Sequence, residues 1–147
     1  MDSDDNTTVI SLRGWHPAIA RAEAKSMFIE SNLIRTDARR LIKAEGESDW
    51  SRANIMSGCE CVLIGGGMMK WTSIEDFLKL INCEKRTDMA VECWRHEGKL
   101  PIATKEIEMQ VGGMFHDKGS TFDLENPKHR FGVVLDASAG YVAWGWM

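Results

Sequence analysis

The chain is poor in the features that mark disordered, membrane-spanning and metal-stapled proteins. Its 147 residues include only three prolines and thirteen glycines and form no low-complexity segment. The longest mostly apolar stretch runs from Cys61 to Met69, far short of the roughly 20 residues that a membrane-spanning helix needs. A composition of 44% hydrophobic and 27% charged residues instead indicates a soluble globular chain that can bury a core of its own.

The chain also lacks a basic excess. It carries 18 basic and 22 acidic residues, a net charge of -4, whereas strong nonspecific nucleic-acid binders are usually basic. A local cluster of cations still permits a shaped binding site, because binding depends on the local potential. The acidic and polar start, MDSDDNTT, is unlike a signal peptide or a basic transit peptide, so we expect a cytoplasmic protein.

The sequence lacks the motifs that usually carry catalysis. There is no phosphate loop, dinucleotide fingerprint, zinc-protease motif or nucleophile elbow, and the four histidines are scattered. The four cysteines fit none of the usual zinc spacings. We expect them to be reduced, with Cys59 and Cys61 on one face of a strand. No catalytic residue, metal site or cofactor is predicted, and an enzyme in its own right is not expected.

The apolar periodicity predicts strands alternating with amphipathic helices, which indicates an α/β (α+β) fold. One helix follows Pro17, with its apolar stripe on Ala20, Ala24, Met27 and Phe28, and with Arg21 and Lys25 facing elsewhere. Glycines 65–67 predict a turn, and Thr72 with Glu75 predicts a capping box. The further predicted elements are strands at 8–13, 39–45, 59–65, 88–95, 130–136 and 141–146, a short helix at 49–57, and helices after Thr72 and Pro101.

The spacing of the first elements is compatible with a ferredoxin-like unit. A charged stretch at 82–87 is a plausible linker, so we expect a ferredoxin-like unit at 1–84 and a second small α/β unit at 85–147. Two basic clusters are candidate phosphate contacts, although a solvated face is their commoner explanation. One comprises Arg35, Arg39, Arg40 and Lys43, and the other comprises Lys128, His129 and Arg130.

The order of motifs in the second unit resembles the THUMP domain of tRNA-modifying proteins. A strand ends in Trp94-Arg95, a helix begins at Thr104 and contains Gly112 or Gly113, and the turn Phe122–Pro127 precedes two further strands. The first unit, with Gly14, Pro17, Ala20 and the Ala22-Glu23 pair, resembles the ferredoxin-like unit that precedes THUMP in tRNA guanine-N2 methyltransferases.

The resemblance implies a noncatalytic tRNA-binding module that presents tRNA to a separate modifying subunit. The partners it implies are tRNA and that subunit, with no membrane. Two alternatives stay open: the split N-terminal half of a tRNA guanine-N2 methyltransferase, and a protein-interaction module that has lost RNA binding. The predicted RNA-binding residues lie at strand ends, at the helix start and beside the turn of the THUMP-like unit: Arg95, Lys99, Lys105, Lys128 and Arg130.

Overall fold

A computed structural model describes residues 7–14, 16–98 and 100–147, and within them seven strands form one sheet in the order β2-β3-β1-β4-β7-β6-β5. Only β5 and β6 run parallel, and every other neighbouring pair is antiparallel. This mixed α/β architecture confirms the predicted fold class. No helix in the described part of the chain is long and apolar enough to cross a membrane.

The strands are β1 (Thr7–Leu12), β2 (Asn32–Arg35), β3 (Leu41–Glu45), β4 (Cys59–Lys70), β5 (Met89–Arg95), β6 (His129–Asp136) and β7 (Tyr141–Trp146). The helices are α1 (Pro17–Met27), α2 (Ile74–Leu80) and α3 (Thr104–Asp117), with a 3-10 helix at Trp50–Ile55.

The first half of the chain packs α1 against one face of β1, β3 and β4. Proline can occupy the first turn of a helix because that turn leaves backbone N–H groups unbonded, and Pro17 begins α1 in this way. Ala20, Ala24 and Phe28 then share the buried face with Ile10 and Val62. Strand β2 was not predicted, because its sequence NLIR is largely exposed and does not alternate cleanly.

The second half packs α2 and α3 on one face of β5, β6 and β7. Ile107, Val111 and Phe115 recur along α3 and are fully buried, as the apolar periodicity predicts. The predicted capping box at Thr72 is wrong by one residue. Ser73 is the N-cap of α2, because its hydroxyl accepts a hydrogen bond from the backbone N–H of Asp76.

Strand β4 joins the two halves, and its glycines bend it rather than ending it. The predicted turn at 65–67 is therefore wrong: β4 continues to Lys70, pairing first with β1 and then with β7. The register shifts between Ile64 and Gly67, and Gly65 has a φ of +70°, a conformation that only glycine adopts readily. A Cβ atom on Gly66 would lie 1.9 Å from the carbonyl oxygen of Trp144, so the bulge needs glycine there as well.

The bend lets the sheet pack against itself on the face that carries no helix. Val9 and Leu63 from the first half form a fully buried cluster with Val134 and Ala143 from the second half. The division into units 1–84 and 85–147 stays a prediction, and β4 places the strands of both in one sheet.

The two cysteines of β4 lie in the sheet as predicted, but not on one face. Cys59 packs in the cluster beside α1, whereas Cys61 packs with Leu63 on the opposite face. The cause is a register shift between β1 and β4 beside Leu12, which breaks the alternation of side chains. Burial raises the pKa of Cys59 to about 11, so this thiol stays protonated at neutral pH.

Two glycine substitutions test this account of the bend. Gly66→Ala places a methyl group against the backbone of β7, so we expect the free energy of unfolding to fall by about 3 kcal/mol or more. Gly112→Ala in α3 meets nothing within 4 Å and should stabilise the fold by about 0.5–1 kcal/mol. Urea denaturation measures both, and equal effects of the two substitutions would contradict the account.

Candidate nucleic-acid interface

The structure brings Lys128 and Arg130 together at the start of β5 and β6, and it pairs both with carboxylates. The Nζ atom of Lys128 lies 3.4 Å from a carboxylate oxygen of Asp88, and the guanidinium of Arg130 donates a hydrogen bond to Glu92. All four side chains are substantially exposed, so each pair is weak on its own. Nevertheless, the carboxylates offset the positive charge that a phosphate would meet.

The other predicted RNA-binding residues lie at the opposite end of β5. The guanidinium of Arg95 donates to the backbone carbonyl of Ile102 at 3.4 Å, and Lys105 is exposed in the first turn of α3. Lys99 lies outside the described residues. Because β5 has seven residues, roughly 20 Å separates its two ends. The predicted set is thus divided between two places, and its role in binding stays a prediction.

A different group of cations converges on the first half of the chain. Arg21 and Lys25, four residues apart, lie on one face of α1, and Arg35 lies on the adjacent edge strand β2. Together they line a cavity of about 290 Å³ between the helix and the sheet. Among the described residues, no carboxylate lies within ion-pair distance of any of the three. We call these three residues the α1–β2 cation group.

The electrostatics of the α1–β2 cation group favour an anion. Partial burial, and then the positive charges of Arg35 and Arg39, lower the pKa of Arg21, although an arginine remains protonated at neutral pH. Arg21 also donates a hydrogen bond to the backbone carbonyl of Arg39 at 3.2 Å, which helps to hold its side chain in place. A phosphate placed among these cations would relieve their mutual repulsion.

The rest of the first basic cluster seen in the sequence is dispersed. Arg39 pairs with Glu97 at 3.3 Å, and Arg40 turns inward to donate to the backbone carbonyl of Leu12. Lys43 lines a separate cavity. The signal that could have identified the α1–β2 cation group was the pair Arg21 and Lys25, set at i and i+4 away from the apolar stripe of α1.

The described tryptophans pack inward rather than forming a stacking surface for bases. Trp50 contacts Phe28 with the two rings tilted, and Trp71 and Trp144 both contact Phe77. Trp146 contacts Phe115 and Phe131, and Trp94 donates its indole N–H to Glu60. The interface is therefore one of cations on a rigid α/β frame.

A buried histidine connects the two halves of this frame. The Nε2 atom of His96, at the end of β5, lies 3.0 Å from a carboxylate oxygen of Glu60 in β4 and 3.1 Å from the hydroxyl of Ser11 in β1. Its Nδ1 atom lies 3.8 Å from Asp136 in β6, an ion-pair distance too long for a hydrogen bond. His96, Glu60 and Asp136 are called the His96 cluster below.

The charges of the His96 cluster stabilise one another. Burial alone would disfavour the imidazolium, but the carboxylates of Asp136 and Glu60 outweigh it and raise the pKa of His96. Burial likewise opposes ionisation of Glu60, whereas hydrogen bonds from His96, Ser11 and Trp94 lower its pKa to about 2. Burial also opposes ionisation of Asp136, but the nearby His96 and hydrogen bonds from the Ser138 hydroxyl and the Ala139 backbone N–H lower its pKa to about 2. The His96 cluster therefore links the end of β5 to β1 and β4.

Neither a family model nor a curated protein sequence matches the chain. Solved structures do. TrmN from Thermus thermophilus is 17% identical with a TM-score of 0.65, and the match covers 96% of this chain and 45% of that one. PH1313 from Pyrococcus horikoshii Ot3 is 13% identical with a TM-score of 0.57, covering 97% and 54%. A 4-thiouridine synthetase solved as an RNA complex with bound ATP is 11% identical with a TM-score of 0.57, covering 96% and 40%.

The chain has the THUMP-type fold that its sequence resembles. The similarity extends over nearly the whole chain, including the first half, so both halves share their arrangement with those proteins. The chain spans about half the length of the solved proteins that it matches.

The His96 cluster predicts how the stability of this THUMP-type fold depends on pH. The imidazolium of His96 contributes fully to the free energy of unfolding below pH 6.5, the approximate pKa of histidine in the unfolded chain. This contribution is lost as the pH rises through the higher pKa of His96 in the folded chain. The carboxylates of Glu60 and Asp136 contribute to the free energy of unfolding above about pH 4.5, and this contribution is lost as the pH falls toward 2. We expect the free energy of unfolding, measured in urea, to be highest between about pH 4.5 and 6.5.

His96→Gln should lower that maximum by about 3 kcal/mol, because it leaves the buried carboxylate of Asp136 without its cation. It should also remove the loss of stability on the alkaline side. The matched control is His116→Gln, whose side chain is 77% exposed. A His96→Gln protein with the unaltered pH profile would show that the cluster is not charged.

Proposed function

We propose that the chain is a noncatalytic tRNA-binding module that presents tRNA to a separate RNA-modifying subunit. The observation that carries the proposal is the α1–β2 cation group, three converging cations with no carboxylate partner among the described residues. Phosphate contacts of this kind position a nucleic acid without reading its sequence.

The fold supports RNA as the ligand. One of the similar solved structures is a 4-thiouridine synthetase in complex with RNA, and its match covers 96% of the present chain. The net charge of -4 is compatible with this function only if binding uses a few converging cations, which is the arrangement on α1 and β2. We therefore expect binding that is weak in isolation, about micromolar or poorer, with a salt dependence that reflects only a few phosphate contacts.

The separate modifying subunit is the part of the proposal that concerns catalysis. The chain spans 40 to 54% of the three similar solved proteins, of which one is a synthetase. Within the described residues, no group of His, Cys, Asp and Glu side chains is arranged to hold a metal ion. In the proposed role, a second polypeptide carries out the chemistry of modification.

The test compares two sets of cations in one assay. Arg21→Ala, Lys25→Ala and Arg35→Ala together should weaken binding to unmodified tRNA about tenfold, measured by fluorescence anisotropy. They should also reduce the slope of log affinity against log salt by about 2 to 3 units, because each phosphate contact contributes about 0.7 to 0.9. None of the three side chains lies in the core, so circular dichroism and the thermal midpoint should be unchanged.

Lys128→Ala with Arg130→Ala is the comparison variant from the second half of the chain. Because both cations are paired with carboxylates, we expect a smaller loss of affinity from this double change. A larger loss there would move the site to the residues that the sequence predicted. The absence of tRNA binding at low salt, with or without a modifying subunit, would favour a protein-interaction module instead.

A further inference from the structure

An apolar groove runs along the outer side of α3, away from the α1–β2 cation group. It has a volume of about 730 Å³ and lies between α3, the edge of β5 and the segment at 121–127. Met109, Phe122 and Leu124 line it and remain 65%, 36% and 81% exposed. Single exposed apolar residues are ordinary, but a contiguous group of them marks an interaction surface.

The floor of the groove contains a glycine pair that the fold itself does not need. Gly112 and Gly113 lie in the middle of α3, where each glycine costs about 1 kcal/mol relative to alanine. A Cβ atom built on either one meets nothing within 4 Å, so neither glycine allows a close contact within the chain. What their missing side chains provide is open space along the helix backbone.

The wall of the groove is the unpaired edge of the sheet. Strand β5 is the last in the sheet, and Met89 already bonds outward through its N–H to Thr121 and through its carbonyl to Asp123. In a parallel pair of strands, the backbone N–H and carbonyl groups of every second residue point to the same side. Those of Val91 therefore point away from β6, as those of Met89 do. Neither group bonds to a loop, a turn or a side chain among the described residues, and Val91 lines the groove.

The next backbone group on β5 that points outward is already occupied. The N–H of Cys93 is bonded by the carboxylate of Glu108, at 2.9 Å. Side-chain capping of this kind protects a sheet edge from unspecific pairing. The open part of the edge is therefore short and centred on Val91.

The charges around the groove indicate what it would accept. The carboxylates of Glu106 and Glu108 line it, and Asp123 and Glu125 flank Leu124. Among the described residues that line the groove, Lys105 is the only lysine or arginine. An acidic rim repels the phosphates of RNA and opposes pairing with the same rim of a second copy, so both are disfavoured as occupants.

We propose that this groove binds an extended segment of a partner protein, carrying alternating basic and apolar side chains, that adds a strand to the edge of β5. Main-chain hydrogen bonds to Val91 would supply affinity, and the apolar groove and acidic rim would supply specificity. The groove borders β5 and the cation group borders β2, the two opposite edge strands of the sheet. RNA and a protein segment can thus occupy the chain together.

The experiment uses two short synthetic peptides, one alternating lysine with valine and the other alternating glutamate with valine. We expect the lysine peptide to bind at least about tenfold more tightly, measured by fluorescence anisotropy at low salt. Hydrogen exchange should show slower exchange of the Val91 amide in the complex, because strand addition places a carbonyl on that N–H.

Substitution in the groove separates docking from folding. Gly113→Leu fills the floor of the groove and should weaken the lysine peptide at least tenfold without lowering the thermal midpoint, because leucine is a better helix former than glycine. Gln110→Leu, an exposed position of α3 outside the lining, is the matched control and should leave affinity unchanged. Affinity for tRNA should be the same in both variants, so this test is independent of the RNA-binding proposal.

Four results would overturn the proposal: no binding of the lysine peptide, equal binding of the glutamate peptide, unaltered affinity in Gly113→Leu, or an unprotected Val91 amide. Loss of tRNA binding in Gly113→Leu would assign the groove to RNA instead. A dimer in sedimentation experiments that Gly113→Leu dissociates would assign it to a second copy.

Discussion

The structure depends on the bend at Gly65–Gly67, where one strand passes from the first half of the sheet to the second. A side chain at Gly66 would collide with the backbone of β7, and without the bend Val9 and Leu63 would not reach Val134 and Ala143. The same bend of the sheet brings His96, at the end of β5, to Glu60 on β4. An apolar cluster and a charged one thus hold the two halves in a single geometry.

This geometry gives the chain two edges of different character. At β2 the sheet meets the cations of α1, which have no carboxylate partner among the described residues, and at β5 it meets an apolar groove with an acidic rim. A rigid frame of this kind is compatible with the proposed presenting role, in which it would fix an RNA and a protein relative to each other. The net charge of -4 is then explained by its distribution: the cations converge in one place and are paired with carboxylates at Lys128 and Arg130.

Local patterns in the sequence predicted most of the elements but not what the bend brings together. The periodicity of α3 identified Ile107, Val111 and Phe115, and the spacing around Pro17 identified α1. Glycines 65–67 predict a turn, because sequence alone does not distinguish a turn from a bulge within a strand. The alternation of side chains along a strand predicts Cys59 and Cys61 on one face, because the register shift beside Leu12 arises from pairing with another strand and leaves no local signal in the sequence. The sequence likewise does not predict the pairing of Arg130 with Glu92, because the two residues lie 38 positions apart.

The most direct measurement of the central claim is ultraviolet crosslinking of the intact chain to tRNA, followed by mass spectrometry of the attached peptides. The account predicts crosslinks in α1 and β2, around Arg21, Lys25 and Arg35, with none in α3 beside the groove. Crosslinks concentrated at 128–130, or along α3, would contradict the assignment of RNA to the β2 edge.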